Sequence, residues 1–377
     1  MRRAAHAAPG SAAPHLRRVH RAAPDRTRAV VHGRARSSRR PPPHAPACAR
    51  TDAHIFDLLT RLRQAVDHPY LVLHSARAEE EAASALSIAH GGRESAVKTD
   101  DVCCLCHEIA VDKVHAACKH AFCRSCALEF IGALAEGATA QCPKCWRPLT
   151  IDLEQTSAPE QVGAPLSLFA TPGLAGAAVP IGSSITGRSR RGILSRLNLA
   201  QFQSSTKIEA LMEELSMMGA RDPVGKAIVF SQFTSMLDLI EWRIQRGNVQ
   251  AVKLDGSMSV SARSSAIDAF MTNPNVKVIL ISLKAGGVAL NLTVATHIFL
   301  MDPWWNPAAE MQAIDRAHRI GQHKPVRAVR FIAKNTVEER IVALQEKKRL
   351  VFEGTVGGDM GALARLSEED MRFLFQS

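Results

Sequence analysis

The sequence predicts an α/β fold: a parallel sheet covered by helices on both faces, a small cysteine-rich module before it, and a disordered basic N-terminus. Three observations carry this. From Lys226 onward, short continuous apolar runs alternate with amphipathic stretches, the pattern of strands buried on both faces and separated by covering helices. Between Cys103 and Cys145, seven cysteines and one histidine fall in four close pairs. Ahead of both, residues 1–50 consist largely of Arg, Ala, Pro and His, and so cannot bury a core.

The first 50 residues hold twelve arginines, no lysine and one acid, Asp25, which accounts for the whole net charge of +11. The rest of the chain is balanced, so the basic character belongs to the tail and not to the folded body. Such a tail reads as an arm for nucleic acid or nuclear import, as an organelle transit peptide, or as a wrongly assigned start of the chain.

Residues 51–98 begin with a helical run, Ile55 to Tyr70, whose Ile55, Leu58, Leu59, Leu62 and Val66 repeat at helical spacing. Pro69 should stop that helix near His68. Residues 76–98 are polar and Ala-rich, a linker or a solvated helix; the cysteine module takes 99–150. Residues 151–192 are a flexible connection, rich in Gly, Ser, Ala and Pro over most of their length. In residues 193–377, strands are expected at Lys226–Ser231, Val249–Leu254, Val276–Ser282, His297–Met301 and Val326–Ile332. Helices are expected at Thr234–Arg246, Ser259–Met271, Ala308–His318 and Val337–Phe352. The longest uncharged apolar stretch, Ala285 to Met301, is broken by Gly286, Gly287, Asn291 and His297, so it reads as loop and buried strand with no membrane span.

The four pairs are Cys103-x2-Cys106, Cys118-x-His120, Cys123-x2-Cys126 and Cys142-x2-Cys145. Thiolate and imidazole are the ligands tetrahedral zinc prefers, and eight of them fill two sites. Only Cys48 and Cys104 of the nine cysteines stand outside the set, and no apolar leader precedes them, so reduced thiols on zinc fit better than disulfides.

This array resembles the RING finger of ubiquitin ligases. The resemblance implies interleaved sites: Cys103, Cys106, Cys123 and Cys126 on one ion, Cys118, His120, Cys142 and Cys145 on the other. Both shells would be closed and the zinc structural. It also implies a ubiquitin-conjugating enzyme as partner, gripped through the positions of Leu105, Phe130 and Pro143. One departure is Trp146, followed by Arg147, where many active RING fingers place a cation directly after the last ligand. Cys104 carries no catalytic role in this reading. A zinc module serving only as a docking surface is the alternative.

Five further segments are KAIVFSQFTSMLDLIE (226–241), LDGSMSVSAR (254–263), VILISLKAGGVALNL (278–292), MDPWWNP (301–307) and QAIDRAHRIGQ (312–322). Together they resemble the second RecA-like lobe, the helicase C-terminal domain, of Swi/Snf-type DNA-dependent ATPases. Joined to a RING finger, they are similar to the DNA-repair subgroup typified by nucleotide-excision-repair translocases. LTRLRQAVDHPYLV (59–72) matches the end of lobe one there, and RLSEEDMRFLF (365–375) fits the same subgroup.

The resemblance implies that Arg316 and Arg319 are arginine fingers for a nucleotide held by lobe one, oriented by Gln312 and Asp315. Gly286 and Gly287 would let backbone approach nucleotide or DNA closely, with Ala289 replacing a glycine common in the wider family. Ser257 and Lys284 would contact DNA phosphates. Trp304 and Trp305 read as lobe-edge packing rather than base-stacking residues. Implied partners are the conjugating enzyme, double-stranded DNA or chromatin and other repair factors; the implied place is the nucleus.

The sequence contains neither a G-x-G-K-T phosphate loop nor a D-E-x-H block, and its Gly225–Lys226 pair lacks the surrounding motif. ATP with Mg is therefore expected only in a complete two-lobed enzyme, with negligible ATP hydrolysis by this chain alone. The alternatives are a non-catalytic zinc, DNA or partner-binding protein, and a piece of a full two-lobed ATPase.

Overall fold

In the computed structural model the described residues are 2–6, 47–78, 102–134, 140–152, 192–283, 291–304, 307–354 and 367–375. Five strands run parallel, β4 (Ala227–Ser231), β5 (Gln250–Leu254), β6 (Val276–Ser282), β7 (His297–Leu300) and β8 (Arg327–Ile332), in the spatial order β8-β7-β4-β6-β5. The expected parallel α/β sheet is present. Alternation within β4 assigns the two faces. Ala227 and Val229 enter one apolar cluster, Ile228 and Phe230 the other.

Helices α4 (Thr206–Arg221) and α5 (Thr234–Arg246) cover the first face. Helices α6 (Val260–Thr272) and α7 (Pro307–Ile314) cover the second, through Phe270 and Ala313. Ser205 and Ser259 start α4 and α6 by accepting from Ile208 N–H and Ala262 N–H. The sequence pattern does not announce α4, because Lys207 and Glu214 interrupt its apolar stripe; both are buried. Helix α7 ends at Ile314, four residues short of its expected end, and the chain continues as turns.

Two described segments depart from the disorder expected of residues 1–50. Arg2–His6 (β1) pairs antiparallel with β8 rather than staying disordered, because an uncovered edge strand offers a row of free backbone donors and acceptors. Helix α1 (Ala47–Asp67) also begins inside the basic tail, eight residues before the expected Ile55. It stops before Pro69 as expected, and a short α2 (Tyr70–Leu73) follows.

Helix α1 is fastened to the lobe by buried charge. The Lys207 ammonium donates to Asp67 at 2.6 Å, to the Met301 carbonyl at 2.8 Å and to Glu338, the last at the start of α8 (Val337–Gly354). The Arg63 guanidinium donates to Pro303 O at 2.7 Å and lies 3.7 Å from Asp302, whose carboxylate accepts from Gln232 N–H. Burial pushes the Asp67 and Glu338 carboxyls up against the opposing pull of Lys207, while the two carboxylates overcome desolvation to hold the ammonium above its ordinary value.

His68 continues the same seam. Its Nε2–H donates to Gln203 O at 3.0 Å and its Nδ1 accepts from Tyr70 N–H at 3.1 Å, an arrangement that needs the neutral ring. Burial outweighs the Gln203 bond and lowers its pKa to about 4. The folded state therefore binds fewer protons than the unfolded state below the ordinary histidine value of about 6.5. Stability falls as pH drops from there toward about 4. His297, also lowered by burial, adds to the slope. Urea midpoints measured over this range should fall less steeply in His68→Gln than in the wild type.

Candidate metal centres and lobe surface

The cysteine module is built on a short hairpin, β2 (Lys113–His115) paired with β3 (Ala121–Cys123), and on helix α3 (Arg124–Ala133). Cys123 ends the hairpin and caps α3, so one turn later the helix presents Cys126 beside it. Two reverse turns supply the remaining C-x2-C pairs. In each, the residue after the second cysteine has a left-handed backbone, His107 at φ 59° and Trp146 at φ 62°. Each also donates its N–H to the first cysteine's carbonyl, at 2.9 and 2.8 Å.

The eight donors gather as two groups, Cys103, Cys106, Cys123 and Cys126, and Cys118, His120, Cys142 and Cys145, all ligand atoms of a group lying within 4.8 Å of one another. A tetrahedral site with Zn–S bonds of about 2.3 Å separates its sulfurs by about 3.8 Å. Cys106 and Cys123 sulfurs are 3.8 Å apart. His120 Nδ1 lies 3.3 Å from the sulfurs of both Cys118 and Cys142, so Nδ1 is the nitrogen facing the second site. Hydrogen bonding to Cys103, then to Cys106, pushes the buried Cys123 thiol well above its ordinary value; Cys126 is raised likewise. Four touching sulfurs cannot all ionise without a cation between them. The donors fit two zinc ions.

The first knuckle also meets the lobe. The Glu108 carboxylate accepts from Thr234 N–H at 3.1 Å and Ser235 N–H at 2.8 Å, at the start of α5. That helix has no side-chain cap of its own, with Phe233 at the cap position. The acid therefore satisfies free donors at the positive end of the helix dipole. A missing cap was the signal sequence reading could have used. Val111 packs on Gly256, where an added Cβ would lie 2.0 Å from Val111 Cγ1. Both contacts lie just past the carboxyl ends of β4 and β5. Gly256→Ala is expected to loosen the module from the lobe, costing about 1–3 kcal/mol. Adding Val111→Ala should restore the loss, read as matching thermal midpoints.

The other expected positions are spread over the lobe. Arg316 is half-buried and Arg319 exposed in the turns after α7. Arg319 Nε donates to the Asp315 backbone oxygen at 2.9 Å, so Asp315 holds it through its main chain and not its carboxylate. Among the described residues no contact links exposed Gln312 to either arginine. The Arg316 carbonyl accepts from Leu292 N–H, and Gln322 donates to Thr293 O and Ala295 O, both at 2.8 Å. These bonds pin the arginine turn beside the segment entering β7. Gln322 was not among the expected site residues, although it stands in the RIGQ motif.

Ser257 is exposed past β5, its hydroxyl and N–H both directed to Asp255. Gly286, Gly287, Lys284 and Trp305 lie outside the described residues. Trp304 is buried in an apolar cluster with Ile341 and Leu344, as packing and not base stacking requires. Of the expected partner contacts, Phe130 is 3% exposed in that same cluster, while Leu105 and Pro143 are half-buried. Trp146 is exposed.

The helicase conserved C-terminal domain matches residues 206–321, and the C3HC4-type zinc finger (RING finger) matches 103–145. The chain is therefore a helicase C-terminal lobe carrying a RING finger. It is 44% identical over 325 residues to the ATP-dependent helicase rhp16 of Schizosaccharomyces pombe, covering 86% of this chain and 34% of that protein. It is 35% identical over 333 residues to the DNA repair protein RAD5 of Cryptococcus neoformans, covering 78% of this chain and 27% of that one. A solved structure, the C-terminal part of the Fun30 ATPase domain, is 35% identical with a TM-score of 0.38, covering 40% of this chain and 50% of the other. The chain is similar to these helicase-like proteins in joining a helicase C-terminal domain to a RING finger. It spans about a third of the length of the curated relatives it matches.

Proposed function

We propose that this chain is the RING-type ubiquitin ligase module and second ATPase lobe of a DNA-repair translocase acting on chromatin in the nucleus. The observation that carries the ligase half is the pair of closed four-donor sites in the interleaved RING order. With no open ligand position, the zinc is structural. The module works as a scaffold, placing a ubiquitin-loaded conjugating enzyme for transfer, with Leu105, Phe130 and Pro143 as its contacts. Relatives named as DNA repair proteins support the repair setting and, with it, other repair factors as partners.

For the translocase half, Arg316 and Arg319 serve as fingers toward a nucleotide, and Ser257, Lys284, Gly286 and Gly287 serve the DNA and nucleotide side. ATP and Mg require a phosphate-loop lobe, so this chain alone should hydrolyse ATP negligibly. No described helix is long and apolar enough to cross a membrane.

The ligase reading is tested by mixing the zinc-loaded chain with a ubiquitin-charged conjugating enzyme and free lysine. Discharge should exceed the enzyme's own rate and be abolished by Cys103→Ser. Trp146→Arg, which restores the cation after the last ligand, should raise it further. Discharge no faster than without the chain, in wild type, Trp146→Arg and Phe56→Ala alike, would contradict the reading.

A further inference from the structure

The face through which a RING finger grips a conjugating enzyme is covered at its central helix in this chain. Phe130 stands on it and is 3% exposed, because Phe56 of α1 meets it edge-on with ring centroids 5.3 Å apart. Leu105 packs against the same cluster, which α1 supplies with Phe56 and Leu59 and the lobe with Trp304, Ile341 and Leu344. Polar contacts from the same helix close the edge. Gln64 donates to the Cys106 carbonyl at 2.8 Å, and Asp57 bonds His107. Glu108 and Val111 fix the neighbouring loop to the lobe.

Phe56, Asp57 and Gln64 lie on one side of α1, at i, i+1 and i+8, so a single helix face makes all three contacts. That helix is itself locked to the lobe by Arg63 and Asp67. Helix and lobe thus form one platform, and the module rests on it with its partner face inward.

We infer that α1 and the conjugating enzyme compete for one surface, so that the RING finger is held closed until it lifts off the α1–lobe platform. This rests on the ligase reading above. An apolar aromatic contact, one buried polar contact and one part-buried polar contact hold the closed state. An enzyme that needs Phe130 sees only the fraction of molecules in which these contacts are broken, and its apparent affinity falls by that fraction. The charge lock on Arg63 and Asp67 keeps α1 on the lobe, so the opening joint is the module's edge and not the helix.

The test uses the full zinc-loaded chain, a ubiquitin-charged conjugating enzyme with free lysine as acceptor, and hydrogen exchange of the amides of residues 104–107 and 126–131. Two variants open the edge: Phe56→Ala, and the milder pair Asp57→Ala with Gln64→Ala, which leaves the apolar cluster whole. Both should speed exchange at those amides and raise discharge about tenfold, as expected when a minor competent fraction becomes the major one. Discharge equal in wild type and variants, with the wild type active, would overturn the closed state and leave the ligase reading standing. Faster exchange with no discharge from any form would overturn the ligase reading and this inference with it. Unchanged exchange in the milder pair would show that α1 does not cover the face.

Discussion

Lys207→Met should lower stability by about 3–5 kcal/mol near neutral pH, the loss expected when one partner of a buried ion pair is removed. The variant has nearly the shape of the original, so packing is kept and charge is lost. Asp67 and Glu338 then face each other's field in a site with little water and no cation. Burial already raises both carboxyls, and without the ammonium they rise further, so the folded variant holds protons that the unfolded chain has released. A raised carboxyl contributes stability below its unfolded value of about 4 and loses it as pH climbs through the folded value. The penalty should therefore be larger at neutral pH than at mildly acid pH. Urea midpoints of wild type and variant at two such values measure this, and a penalty independent of pH would contradict it.

Cys103→Ser should have the larger consequence. Structural zinc in small modules contributes about 10–16 kcal/mol of apparent binding free energy at neutral pH. Cys103 is buried, and its sulfur accepts from Cys123 N–H at 3.2 Å, so its loss opens the first site and the hairpin together. The module should unfold, zinc stoichiometry should drop by at least one ion, and discharge from the conjugating enzyme should vanish. The lobe should be destabilised as well, because Glu108 no longer caps α5 and Phe130 no longer fills the cluster with Phe56. Zinc analysis and thermal unfolding read both effects.

Much of this was legible from local pattern. Apolar runs mark all five parallel strands to within a residue at each end, and the helical pattern of Thr234–Arg246 matches its helix at both ends. Ligand spacing alone gave the eight donors; their grouping into two sites came with the resemblance. What escaped depends on residues far apart in sequence. Helix α4 was missed because Lys207 and Glu214 look like surface residues until Asp67, Glu338 and Arg327 meet them. The seating of the RING finger was missed for the same reason: Glu108 and Thr234 are 126 positions apart, and nothing local to either names the other. Phe130 carried two signals, a partner contact by resemblance and a core residue by its bulk. Only the neighbouring Phe56 decides between them for the closed state.

The RING finger is a part seated on the helix-and-lobe platform, and not a bead on linkers. The most direct test of that seating follows zinc release with a chromogenic chelator and lobe unfolding by tryptophan fluorescence in one denaturant titration. Glu108→Gln is compared with wild type, since it keeps the shape and weakens the cap at Thr234 and Ser235. Zinc release and lobe unfolding should shift together to lower denaturant in the variant. Zinc release unchanged by Glu108→Gln, and a lobe transition indifferent to whether zinc is bound, would contradict the account.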